Sequence, residues 1–358
     1  MKTKIYNLLM ILAIVGIHHQ ANSCTGITLK SQDGANIVAR TIEWAGWNLS
    51  SDYMVVPRGF ERQSRLPDGT SDGMKYTALY GYVGLSGEDY VLEGLNEMGL
   101  SAGLFYFPKT GSYPKYDKKY KDMTISDTEF VSWILGGFET VDEVIDALSG
   151  VRVVATDSRG ENLHWRVADR NGRQIVIEYM NGLPMVYENI LGVLTNAPEY
   201  TWHIKNLNNY INLVPGDISK HNFGNMTLSA FGRGTGLLGL PGDMTPPSRF
   251  VRAAFYQISS PELSNADMAV NQAFTIMEAM KIPIGVQFND KSQMPDIPSA
   301  TQWTTVTDMT NNILYYTTMY NPIIRKIDLN KINFETVKYQ KNVLDDNKTR
   351  PILDVEFN

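Results

Sequence analysis

The 358-residue sequence predicts a mixed α+β fold in which strands from both ends of the chain share a single domain. Short strand-like segments at each end are joined by turn formers, Ser31-Gln32-Asp33-Gly34 near the start and Asn311-Asn312 near the finish. Between them lie helical segments with clear start and stop signals. No repeat, low-complexity linker or charge run marks a boundary, so one domain over residues 24–358 is expected.

In chain order, Cys24 to Leu29 and Ala35 to Thr41 read as strands of a hairpin whose pairing carries Arg40 back toward Cys24. After Thr41-Ile42-Glu43-Trp44-Ala45-Gly46-Trp47, a polar region to about Met74 with several Gly and Pro residues reads as loop. Strands follow at Tyr76 to Val83 and Ser101 to Phe107, and Pro108 to Asp122 reads as a mobile surface loop. A helix runs through Phe130, Trp133 and Ile134 to Gly136-Gly137. Thr140 and Glu143 form a capping box for the next one, which Gly150 stops. A meander from Leu163 turns at Asn171-Gly172 and Asn181-Gly182, and a short helix follows from Tyr200 to Leu207. Pro246 and Pro247 open a helix carrying Arg249, and another spans Ala266 to Met280. Strands Thr301 to Thr307, Ile313 to Met319 and Ile323 to Leu329 close the chain.

The first residues read as something other than the domain. Lys2 and Lys4 precede the apolar run Leu8 to Ile17, and Ala21 and Ser23 stand at −3 and −1 of a cleavage point, the pattern of a signal peptide over 1–23. The run is too short for a membrane span and no stop-transfer charges follow. A mature protein without a membrane anchor, periplasmic or secreted, is therefore expected. Cleavage after Ser23 makes Cys24, the single cysteine of the sequence, its first residue. A thiol and an α-amino group then share one residue, and an amino group with pKa about 7.7–8.0 can serve as general base to that thiol. Three readings compete for Cys24: a buried small hydrophobe, a lipidated cysteine, and an N-terminal nucleophile. Ala21 in place of Leu makes a poor lipidation signal, and an unpaired thiol in an oxidising compartment is better explained by chemistry than by packing.

A net charge of −6 and a pI near 5.5 lack the basic face of a nucleic-acid binder. His164, His203 and His221 fit no metal-binding spacing, so neither metal nor other cofactor is expected. A pairing of His203 with Cys24 stays open, ranked below the amino-group base. The run Gly232 to Asp243 lacks both a βαβ setting and a P-loop lysine, and reads as a tight loop rather than a nucleotide cradle.

Six blocks in order carry a resemblance. Cys24-Thr25-Gly26, Arg40-Thr41-Ile42-Glu43, Asn96-Glu97-Met98-Gly99-Leu100, Leu194-Thr195-Asn196-Ala197-Pro198, Gly236 to Asp243 and Ser248-Arg249-Phe250 are spaced as in the choloylglycine hydrolase family, the bile salt hydrolases and penicillin V acylases. The sequence resembles that family over the whole of 24–358. The resemblance implies an N-terminal-nucleophile hydrolase fold, a four-layer αββα sandwich of two antiparallel sheets. It makes Cys24 the nucleophile, its amino group the base, Arg40 the cation beside the thiol and Arg249 a further active-site arginine. Asn196 corresponds to an oxyanion-hole residue, and the backbone N–H of Tyr106 to its second donor. Glu43 stands where the family usually has Asp, and Tyr106 where many bile salt hydrolases carry Asn and penicillin V acylases carry Tyr.

The implied activity is hydrolysis of the amide bond of glycine- or taurine-conjugated bile acids through a thioester. Penicillin V or another N-acyl amide is the alternative substrate, and a secreted binding module without turnover is the alternative of another class. Trp44, Trp47, Phe105, Tyr106 and Phe107 are candidates to line an apolar pocket for the acyl group. The expected partner is a small-molecule amide. Family members often form homotetramers, an assembly that no residue read here specifies.

Overall fold

The computed structural model of the chain describes residues 23–44, 48–156, 162–286 and 297–357. The leader up to residue 22 and Trp47 lie outside them. The first hairpin sets the geometry of everything that follows. Ser23–Lys30 (β1) pairs antiparallel with Asn36–Glu43 (β2), placing Cys24 opposite Ile42 and Gly26 opposite Arg40. The turn between them uses Gly34 at φ 93°, a conformation that a side chain would strain.

The other strands of the two main sheets are Asp52–Val56 (β3), Tyr82–Gly87 (β4), Tyr90–Asn96 (β5), Ser101–Tyr106 (β6), Leu163–Ala168 (β7), Gln174–Met180 (β8), Leu183–Glu188 (β9), Thr301–Asp308 (β10), Ile313–Thr318 (β11), Arg325–Asp328 (β12) and Gln340–Val343 (β13). One sheet has the order β1-β2-β10-β11-β12, and the other β9-β8-β7-β6-β5-β4-β3-β13. Every pairing within both is antiparallel.

The helices are Phe130–Gly137 (α1), Val141–Ala147 (α2), Tyr200–Asn206 (α3), Pro246–Ile258 (α4) and Ala266–Glu278 (α5). Helices α4 and α5 cover the five-stranded sheet through β1, β2 and β10, while α1 covers β5 and β6 of the other. The result is an αββα sandwich of four layers. Its main apolar core runs through both sheets, from Ile27 and Val38 to Val83, Trp165 and Ile177. Strand β2 is buried along its whole length, because helices lie on one side and the second sheet on the other. Any charged residue in it must find its partners inside the protein.

Several elements differ from the sequence expectation. The stretch read as loop after Trp47 contains β3, whose Met54, Val55 and Val56 are buried against β4. A strand beginning at Tyr76 is in fact two, a short Lys75–Thr77 and then β4. Strands β5 and β13, and an exposed hairpin of Lys220–Phe223 with Met226–Ser229, were not expected. The segment read as a surface loop carries Tyr113, which packs on Trp165 and Tyr179. Expectations made from turn and cap chemistry agree more closely. Gly172 and Gly182 take left-handed conformations at their turns, and both bonds of the Thr140–Glu143 capping box are present. No helix among the described residues is long and apolar enough to cross a membrane.

Candidate active site

Cys24 lies at the beginning of β1, almost fully buried. The segment after β9 is tied to this strand by two backbone bonds, Gly26 N–H to the Leu194 carbonyl at 2.7 Å and Leu194 N–H to the Gly26 carbonyl at 3.1 Å. That bridge brings Asn196, two residues further on, to Cys24. The backbone N–H of Cys24 donates to Asn196 Oδ1 at 3.0 Å. Asn196 Nδ2 in turn donates to the Tyr106 carbonyl at 2.8 Å, at the end of β6.

Arg40 projects from β2 into the space between the sheets. Its Nη2 donates to Cys24 Sγ at 2.8 Å, while Nη1 donates to the carbonyls of Leu104 at 2.7 Å and Leu92 at 3.1 Å. The guanidinium lies over Phe105, 4.3 Å from the ring centroid. Arg249 arrives from the first turn of α4. It donates to the Cys24 carbonyl at 2.5 Å, to Thr25 Oγ1 at 2.6 Å and to Asn196 Oδ1 at 2.6 Å. Glu43, at the end of β2, accepts from Thr301 Oγ1 at 3.2 Å.

The electrostatics follow from this burial. Loss of water pushes the Cys24 thiol up, and Arg40 pulls against it; Glu43 adds to the rise, while the Tyr106 backbone N–H and Arg249 oppose it. Burial raises Glu43 to about 7, although Arg249 and Arg40 both favour its ionised form. The same loss of solvent lowers Arg249 to about 10.

The structure thus brings together Cys24, Arg40, Glu43, Tyr106, Asn196 and Arg249 from β1, β2, β6, the loop after β9, and α4. His203 is not in this group. Its Nε2 bonds the Asn196 carbonyl at 2.8 Å, its ring stacks on Phe250, and burial lowers it to about 4, so it is a neutral donor supporting the loop from behind. Two of the proposed pocket residues also need correction. Phe105 lies fully buried beneath Arg40 and Phe107 fully buried against His164, so both belong to the packed interior rather than to a pocket wall. Trp44 is partly buried against the main core and Tyr106 half-buried beside Cys24; Trp47 lies outside the described residues.

Sequence reading missed Glu93, which contacts Arg40, Arg166, which pairs with Glu93, and Thr301, which holds Glu43. A signal existed for the first two: each is a lone charge inside an otherwise apolar strand, Tyr-Val-Leu-Glu-Gly-Leu and Leu-His-Trp-Arg-Val-Ala. Among the described residues no group of three or more His, Cys, Asp or Glu side chains is placed to hold a metal ion.

The model of the choloylglycine hydrolase family of linear amide C–N hydrolases matches residues 24–346. The bile salt hydrolase/transferase of Clostridium perfringens is 32% identical over 335 residues, which cover 89% of this chain and 98% of that protein. A crystal structure of a variant of the conjugated bile acid hydrolase from Clostridium perfringens matches with a TM-score of 0.80 at 30% identity, covering 93% of this chain and all of that one. The penicillin V acylase from Agrobacterium tumefaciens matches with a TM-score of 0.72 at 25% identity, over 89% and 90% of the two chains.

Proposed function

Because this chain belongs to the choloylglycine hydrolase family, and is a linear amide C–N hydrolase with the fold of that family, we propose that it cleaves glycine- or taurine-conjugated bile acids with Cys24 as an N-terminal nucleophile. The observation that carries the reading is the meeting at Cys24 of a guanidinium on its sulfur, from the paired strand β2, and a carboxamide on its nitrogen, from a loop 172 residues away.

Removal of residues 1–23 would turn the Cys24 nitrogen from a peptide amide into an amine, still within reach of Asn196 Oδ1. The amine takes the thiol proton, and sulfur attacks the amide carbonyl. The second N–H of Asn196 Nδ2 and the backbone N–H of Tyr106 are the groups suited to receive the developing oxyanion. As the C–N bond breaks, the ammonium returns its proton to the departing glycine or taurine nitrogen. Water then attacks the thioester, and the acid leaves as the thiol is restored. Arg40 stabilises the thiolate, Arg249 fixes Asn196 and the Cys24 carbonyl, and Glu43 lies close enough to influence the charge at Cys24. The match of the family model from residue 24 supports Cys24 as the first mature residue.

Tyr106 favours a second reading, penicillin V, since penicillin V acylases carry Tyr at the corresponding position. Side-by-side kinetics on glycocholate, taurocholate and penicillin V, with intact-mass trapping of an acyl group on Cys24, test both. Higher kcat/KM on the bile salts is expected; preference for penicillin V would transfer the assignment, and turnover without an acyl group on Cys24 would overturn the mechanism.

A further inference from the structure

Between the two sheets lies a set of three buried charges, of which the reaction above uses only Arg40. Glu93 of β5 is fully buried, with Oε1 2.9 Å from Arg166 Nη2 of β7 and Oε2 3.4 Å from Arg40 Nη1. Ser101 Oγ adds a 3.3 Å bond to Oε1, and Arg166 Nη1 donates to the Ala39 carbonyl at 3.2 Å. Two glycines make room for these groups. A Cβ on Gly103 would collide with the Glu93 carboxylate, and one on Gly26 would lie 2.9 Å from Arg166 Nη1 and 3.1 Å from the Phe105 ring. Both open the same inter-sheet space.

The charges in this set do not cancel. Two guanidinium groups share one carboxylate, and the closer contact belongs to Arg166. Arg40 is left with three neutral carbonyls, those of Thr41, Leu92 and Leu104, and Cys24 Sγ as its remaining hydrogen-bond partners. A cation out of water is costly unless an anion relieves it. The anion this geometry accommodates is a Cys24 thiolate.

We propose that Glu93 and Arg166 are positioning residues that act on Cys24 through Arg40. Glu93, with the Leu92 and Leu104 carbonyls, fixes one edge of the guanidinium so that Nη2 meets sulfur. Arg166 cancels the charge of Glu93, so the set of three carries one net positive charge, matched to one thiolate. Without Arg166, Glu93 would neutralise Arg40. The other titratable or charged groups facing the sulfur, Glu43 from β2, Arg249 from α4 and the α-amine of Cys24 itself in the mature chain, are left untouched by changes at 93 and 166. The proposal rests on the reading of Cys24 as nucleophile, but its central readout needs no turnover.

The test is the ultraviolet titration of the thiolate, recorded without substrate and with the Cys24→Ala protein as blank. Cys24 is the single cysteine, so the signal belongs to it alone. Glu93→Gln leaves a net charge of two and should lower the thiolate midpoint by about one pH unit; Arg166→Gln leaves none and should raise it by about as much. The double variant restores a single positive charge and should return the midpoint to near wild type. Its kcat should still fall on the order of 10-fold to 10²-fold with little change in KM, because the guanidinium is no longer held. A structural role alone predicts no opposite shifts. Single variants that are folded by circular dichroism and shift together, or do not shift, overturn the proposal. If a single variant fails to fold, the double variant decides: a displaced midpoint or a wild-type kcat overturns the proposal. Turnover surviving in Cys24→Ala would instead sink the nucleophile reading and leave the titration standing.

Discussion

Asn196 offers the sharpest separation of chemistry from scaffolding, because on the proposed mechanism its side chain serves both. Its Oδ1 accepts from Cys24 N at 3.0 Å and from Arg249 Nη2 at 2.6 Å, and its Nδ2 donates to the Tyr106 carbonyl at 2.8 Å. Asn196→Ala removes all three bonds. Each buried group left unpaired costs about 1–3 kcal/mol, so a loss of roughly 3 kcal/mol or more of stability is expected. Asn196→Asp keeps an acceptor for Cys24 N and adds an anion beside Arg249. What it loses is the donor, since a carboxylate oxygen then faces the Tyr106 carbonyl and the oxyanion position. The aspartate variant should therefore melt closer to wild type than the alanine variant. Both should lose acylation by about 10²–10³, equivalent to roughly 2.7–4 kcal/mol of transition-state stabilisation. Single-turnover acylation of Cys24 at saturating substrate, with melting temperatures in parallel, reads the two effects separately. Near-normal acylation in Asn196→Asp would refute the donor role and leave Asn196 as scaffold.

The remaining expectations concern the other groups at the site. Burial lifts Glu43 from its ordinary 4.5 to about 7, so between those pH values the folded full-length chain holds a proton that the unfolded chain has lost. Its stability should fall with rising pH across that window by about 3 kcal/mol, and urea unfolding of Glu43→Gln should show a flatter profile; equal slopes would mean that Glu43 does not titrate as argued. Cys24→Ala should abolish turnover with the fold intact by circular dichroism, and Cys24→Ser should leave little activity, because a hydroxyl ionises far less readily than a thiol. Intact mass of the exported protein should correspond to a chain beginning at Cys24; a retained leader, or added lipid mass, would remove the proposed amine.

Legibility in the sequence followed the range of the interaction. Turns and caps are local, and Asp33-Gly34, Asn171-Gly172, Asn181-Gly182 and Thr140 with Glu143 place their elements within a residue or two. Strand β3 was hidden because its apolar residues number only a few between polar loops, and its identity as a strand depends on pairing with β4. Strand β13 is mostly exposed and polar, with no periodic signal to read. In the site, Arg40 was legible from the hairpin register. Asn196 and Arg249 lie 172 and 225 residues from Cys24, and no local pattern can show such a contact. Their placement came from the family resemblance. Phe105 and Phe107 were misread because an aromatic residue looks the same in sequence whether it faces a pocket or, as here, a buried guanidinium and a buried imidazole.

The burial that hid these contacts also explains why the reaction needs its own base. A thiol placed between two sheets loses hydration, and that loss outweighs the pull of Arg40, so the resting sulfur favours its proton. A guanidinium can stabilise a thiolate but has no acceptor for the thiol proton. Nor do the nearby alternatives serve. His203 bonds the far side of the Asn196 loop, and Glu43, whose ionised form burial disfavours, bonds Thr301. The Cys24 nitrogen is covalently fixed to the same residue as the sulfur and is held by Asn196 Oδ1. As a peptide amide it cannot accept the proton, whereas as a free amine it can. On the proposed mechanism, then, Arg40 prepares the site for a thiolate, and cutting one peptide bond supplies the group that forms it.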